Sequence, residues 1–152
     1  MSYDSPDFRV QMMHGPIKGT FTAQIYTVAA TNVKTLTNED DGDKVEFFRN
    51  IKLLDFKVMP IIAPTTGALA AGCTVKYKLL VGSDVVATAT VPSTSTSKGT
   101  MIEGGIASGT LAEVTSNEEV SLRLVYTSGA GTDNTLVTTA INAYVLYEHR
   151  FA

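Results

Sequence analysis

Residues Cys73–Val91, CTVKYKLLVGSDVVATATV, decide the fold. Cys73, Val75, Tyr77, Leu79 and Val81 alternate with the polar Thr74, Lys76 and Lys78, which is the period of a half-buried strand. A second arm follows, with Val85, Ala87, Ala89 and Val91 on one face and Thr88 and Thr90 on the other. Both arms put odd-numbered residues inward. Partners on one face of a hairpin must then sum to an even number, and a two-residue loop would turn one arm inside out. The reading is a hairpin with a three-residue tip, Gly82-Ser83-Asp84, and pairs Val81/Val85, Leu79/Ala87, Tyr77/Ala89 and Val75/Val91. Leu80 and Val86 interrupt the polar side and are expected to meet near the tip, as a minor contact or as part of an interface.

The 152 residues suit one domain with a real core, and abundant Thr, Val, Ala and Gly favours β structure. A formal charge of −3 gives no electrostatic case for nucleic acid. The single cysteine, Cys73, falls on an inward face and reads as a buried hydrophobe. The start MSYDSPDF has no basic and apolar leader, and no apolar run reaches the roughly 18–20 residues that span a bilayer. Synthesis in a cytosol is the expectation.

Residues 1–19, with Pro6, Gly15, Pro16 and Gly19 around the apolar Val10–Met13, read as an irregular arm, and 20–152 as one β domain. Thr20–Ala29 reads as a strand, and Asn38–Asp43 as an acidic turn. Lys44–Ile62 reads as two strands, or as one strand broken at Arg49-Asn50 and bulged at Leu53-Leu54, ended by Pro60 and Pro64; a helix over Asp43–Phe56 is the competing reading. Gly104-Gly105 marks an irregular stretch. Glu119–Thr127 puts Val120, Leu122, Leu124 and Tyr126 on one face. The closing strand, Leu136–Tyr147, is apolar on both faces, so it is central with both sides covered or lies at a subunit contact. About eight short strands with regular turn signals indicate an all-β antiparallel sandwich of jelly-roll type.

Chemical motifs are sparse. Asp40, Asp41 and Asp43 are weak candidates for a hard cation, against the plainer reading of a solvated turn, because the glutamate that would close a calcium loop is missing. His14 and His149 lie near opposite ends of the chain without spaced companions and read as surface residues, able to sense pH only by meeting at an interface. There is no G-x-S-x-G elbow and no phosphate-binding loop, so neither an enzyme nor a cofactor is expected. A hydrolase with dispersed carboxylates would need a cleft that brings two of them together. Sugar-binding sandwiches usually present flat aromatic platforms. Trp is absent here, leaving only Tyr3 or Tyr26 for that role.

The order of the hairpin, the Ser/Thr loop, GTMIEGGIASGTL, AEVTSNEEVSLRLVYTS and TTAINAYVLYEHRF resembles the small jelly-roll structural proteins of tailed bacteriophages. It is most similar to head decoration (cement) proteins. The likeness covers roughly residues 45–150 and is one of pattern, without a diagnostic motif. It implies a homotrimer on the capsid surface that bridges neighbouring subunits of the major capsid protein, with no membrane or nucleic-acid partner. A tail or fibre component shares the pattern, and a carbohydrate-binding module is the other alternative. Apolar residues available for self-association or partner contact are Val10, Met12, Met13, Leu80, Val86, Leu136, Tyr144 and Leu146.

Overall fold

The computed structural model describes residues 11–21, 24–26, 36–63, 73–92, 98–107, 112–128, 134–136 and 139–150. Among the described residues, eleven strands run in chain order: β1 Gln11–Phe21, β2 Gln24–Tyr26, β3 Leu36–Glu46, β4 Ile51–Ile62, β5 Thr74–Val81, β6 Asp84–Thr90, β7 Ile102–Ile106, β8 Glu113–Val114, β9 Glu119–Ser128, β10 Asn134–Leu136 and β11 Thr139–His149. The main sheet has the order β1-β11-β4-β7-β6-β5-β9-β3, with β8 on β4, while β2 and β10 form a separate ribbon. Every pairing is antiparallel.

That order resolves into two four-stranded layers, β1-β11-β4-β7 and β3-β9-β5-β6, joined where β6 pairs β7. Strands that follow one another in sequence largely fall in opposite layers, the arrangement of a jelly roll built from two Greek keys. The remaining edges, β1 and β3, nearly close the sheet. A Cβ at Gly42 would lie 3.4 Å from Gly19 Cα and 3.2 Å from the Phe21 ring, so glycine lets these strands approach. Between the layers sits one apolar core, whose largest fully buried members include Tyr77, Tyr126, Phe21, Phe56, Leu79 and Leu122. Each such side chain stabilises the fold by roughly 1.5–3 kcal/mol. Tyr77 of β5 also donates across the core to Thr139 Oγ1 of β11 at 3.0 Å, and Thr139 donates to the Ile62 carbonyl at 3.1 Å.

The hairpin keeps its inner faces but not its tip. Tyr77 pairs Ala89 and Leu79 pairs Ala87, while Val91 N–H donates to the Val75 carbonyl. The turn has two central residues, Gly82 and Ser83, with Gly82 at φ 57°, so Val81 pairs Asp84 and Leu80 pairs Val85. A bulge before Leu79/Ala87 inserts Val86 and restores the parity that a two-residue turn upsets. Val86 therefore enters the core while Val85 faces solvent. The expected Val81/Val85 pair does not form.

Other differences share this origin in bulges and edges. Gln11–Gly19, expected to be an irregular arm, is strand β1; a register shift between His14 and Ile17 absorbs Gly15-Pro16, whose missing N–H an outer strand tolerates. Residues 1–10 lie outside the described residues. Asn38–Asp43 is not a turn but part of β3, paired with β9 and shifted between Asp41 and Lys44. Pro60 sits inside β4, opposite Ile141, and Gly104-Gly105 sits inside β7. Two strands occupy 36–62 rather than a helix. The bulge at Leu54 appears where expected, since Tyr147 pairs Leu53 and Leu146 pairs Asp55. The closing segment divides into β10 and β11, and β11 is central, between β1 and β4. Its odd residues Ile141, Ala143 and Val145 are buried, and its even residues Ala140, Asn142, Tyr144 and Leu146 are half-buried on the outer face.

Candidate functional site

Where β3 gives way to β4, the alternation of a strand end puts two consecutive phenylalanines on opposite sides. Phe47 packs into the core, and Phe48 is 86% exposed. This short loop is tied down. Asn117 N–H donates to the Phe47 carbonyl at 2.8 Å, Ser116 N–H to Asn50 Oδ1 at 2.8 Å, and Arg150 N–H to the Asn50 carbonyl at 3.0 Å. The turn behind it is held by Thr115, whose N–H and hydroxyl both donate to Glu118 Oε2, at 3.1 and 3.0 Å. Arg150 also pairs with Glu113 at 2.6 Å. An apolar ring is thus displayed on a fixed backbone, which lowers the entropy lost when a partner covers it.

Beside Phe48 a cleft of about 320 Å³ opens between the start of β1 and the end of β3. Its wall is a run of ring contacts from β1, β11 and the β3–β4 loop. His14 meets Phe47 at 5.4 Å, Phe47 meets Tyr147 at 5.1 Å, and Tyr147 meets His149 at 5.6 Å, each edge-on. His149 Nε2 lies 3.0 Å from Met12 Sδ, and a thioether only accepts, so Nε2 carries the hydrogen. The Nδ1 atoms of both histidines are buried and have no hydrogen-bond partner among the described residues. Glu46 and Arg49 supply charge at the rim. The two histidines, read from sequence as separated surface residues, are brought to one cleft by the β1–β11 pairing.

A second feature lies on the outer face of the same layer. Met13, 68% exposed, pairs directly with Leu146, and Tyr144 lies on the same face of β11. Next to this apolar strip, Lys57 bridges Asp55 at 3.4 Å and Glu103 at 2.9 Å. Both carboxylates, Glu103 first, raise the Lys57 pKa.

The structure therefore joins Met13, Tyr144 and Leu146 on one surface and puts Met12, 40% exposed, in the cleft. Leu80 and Val86, expected near an interface, are each 1% exposed and lie within the chain's own fold. Val10 and the side chain of Leu136 fall outside the described residues, as do Tyr3 and the side chains of Tyr26 and Asp40. Asp41 is exposed and bonds Arg123 Nε at 3.0 Å, Asp43 is exposed, and no three metal-ligating side chains gather among the described residues. The sequence reading passed over Phe48. The signal for it was present, because two adjacent aromatic residues at a strand end cannot both face the core.

No family model and no curated protein matches the sequence. Among solved structures, the chain is similar to part of a chain in the structure of infectious bursal disease virus, Gx strain, at 10% identity and TM-score 0.49, covering 94% of this chain and 32% of that one. A chain of the Gt strain shows 13% identity and TM-score 0.30, over 86% of this chain and 37% of that one. The chain thus spans about a third of the length of these neighbours.

Proposed function

We propose that this chain is a non-catalytic virion structural protein, a capsid decoration or cement protein that self-associates, as a homotrimer, and clamps neighbouring coat subunits from the shell surface. The observation that carries this reading is the pairing of a jelly-roll scaffold with apolar side chains held out at one end of it: Phe48 on its tethered loop, and Met13 beside Leu146 and Tyr144. A clamp acts through preformed surface, and adjoining apolar residues presented on strands mark contact sites. The strand-and-loop order that resembles phage decoration proteins supports the same reading. Sedimentation with expanded capsid shells and with unassembled coat protein tests it. The chain is expected to pellet with shells alone, and Phe48→Asp and Leu146→Asp are expected to weaken that binding. A chain with no affinity for shells contradicts the proposal.

A further inference from the structure

The main sheet ends in two edges, and they are protected unequally. Among the described residues β1 hydrogen-bonds to β11 and β3 to β9, with no ladder between β1 and β3. An unpaired edge invites another strand, and charges, proline, bulges or a covering element discourage it. β3 carries Glu39, Asp40, Asp41, Asp43, Lys44 and Glu46, and its register shifts between Asp41 and Lys44. The later half of β1 follows a shift between His14 and Ile17, carries Pro16 and Lys18, and lies against β3 where Gly19 meets Gly42. Gln11–His14 has none of these devices. It contains no Asp, Glu, Lys, Arg or Pro; Gln11, Met12 and Met13 are exposed; and Met12 and His14 line the cleft. In an antiparallel pair every other residue turns both its N–H and its C=O away from the partner strand. This stretch therefore offers backbone donors and acceptors along the cleft.

We propose, resting on the clamp reading, that an extended segment of a coat subunit adds to Gln11–His14 as a further strand, with alternate apolar side chains entering the cleft. Main-chain hydrogen bonds supply affinity in this mode, and pockets for alternate side chains supply specificity. Residues opposite Met12 and His14 share their face, so they lie toward the ring wall and Phe48. The residue between them lies opposite Met13 and extends the outer strip that Met13 forms with Leu146. On the rim, Glu46 and Arg49 have no ion-pair partner among the described residues. A segment that suits them carries charges of both signs beside its apolar residues. A second copy of this chain suits the edge less. Two identical edges pair about a two-fold axis, which builds a dimer and not the trimer of the clamp, and the copy's other edge, β3, is the charged one.

Amide exchange of the full chain, free and bound to expanded capsid shells, tests this without any substitution. The amides of Gln11–His14 that face away from β11 are expected to exchange fast in the free chain and roughly tenfold or more slowly on shells. Met12→Lys puts an ammonium group on the edge at an exposed position. It is expected to weaken pelleting with shells roughly tenfold, whereas Lys18→Ala, on the protected half of β1, is expected to leave pelleting unchanged. A chain that pellets with shells while these amides exchange as fast as in the free chain overturns the proposal and leaves the clamp reading standing. A chain that does not pellet removes both. Protection in the free chain also overturns it. If that protection survives dilution, the edge is already covered within the chain, and if dilution removes it, the cover is a second copy.

Discussion

Gly104 and Gly105 are neighbours in β7 with opposite surroundings. A Cβ on Gly104 would lie 2.5 Å from the Phe56 ring and 3.2 Å from the Ala89 Cβ, while a Cβ on Gly105 would meet nothing within 4 Å. Phe56 is fully buried, so its ring has little room to yield. Gly104→Ala is therefore expected to cost roughly 1–3 kcal/mol in urea unfolding, and Gly105→Ala to be near neutral. Equal effects would contradict this packing. Two adjacent glycines read as a break in the sequence. The structure makes one of them the space into which an aromatic ring fits, and that contact with β4 has no local trace in the chain.

Among the elements, the loop between β3 and β4 has the most to do with function. Asn50 ties it in two directions, through its side chain to Ser116 N–H and through its carbonyl to Arg150 N–H. Asn50→Ala removes the first tie only. It is expected to lower stability by about 1 kcal/mol and to speed amide exchange at Ser116; unchanged exchange there would show that the side chain does not hold the loop. Inner faces were legible from alternation: the odd residues of β5, the even residues of β9 and the break at Arg49-Asn50 all stand as read. Turn length at the hairpin was not, because one inserted residue, Val86, exchanges the faces beyond it. The same property hid β1, where a shift near Gly15-Pro16 separates Met12 and His14, which line the cleft, from the buried Ile17, Gly19 and Phe21. The cleft was illegible for a different reason. Its residues come from positions 12 to 149 and meet only through strand pairing, so no spacing in the chain announces them.

For the whole molecule, Tyr77 links the two layers and also gives them a pH limit. Burial pushes its phenol up from 10.0 to about 12. Between these values the folded chain keeps a proton that the unfolded chain releases, so this contribution is complete below about pH 10 and declines toward pH 12. The decline is about 2–3 kcal/mol. Tyr77→Phe is expected to lose about 1 kcal/mol at neutral pH and to show a correspondingly shallower alkaline decline. Parallel declines in the two proteins would contradict the assignment. The jelly-roll class was readable from the number of strands and the spacing of turns, whereas the pairing that divides them into two layers depends on contacts between distant segments. The proposed clamp adds a requirement on assembly, since the strip formed by Met13, Leu146 and Tyr144 lies on the outside of one layer. Light scattering on the purified chain tests this most directly: the account predicts a mass three times that of one chain, reduced to a monomer by Leu146→Asp, and a chain that is monomeric at every concentration would contradict it.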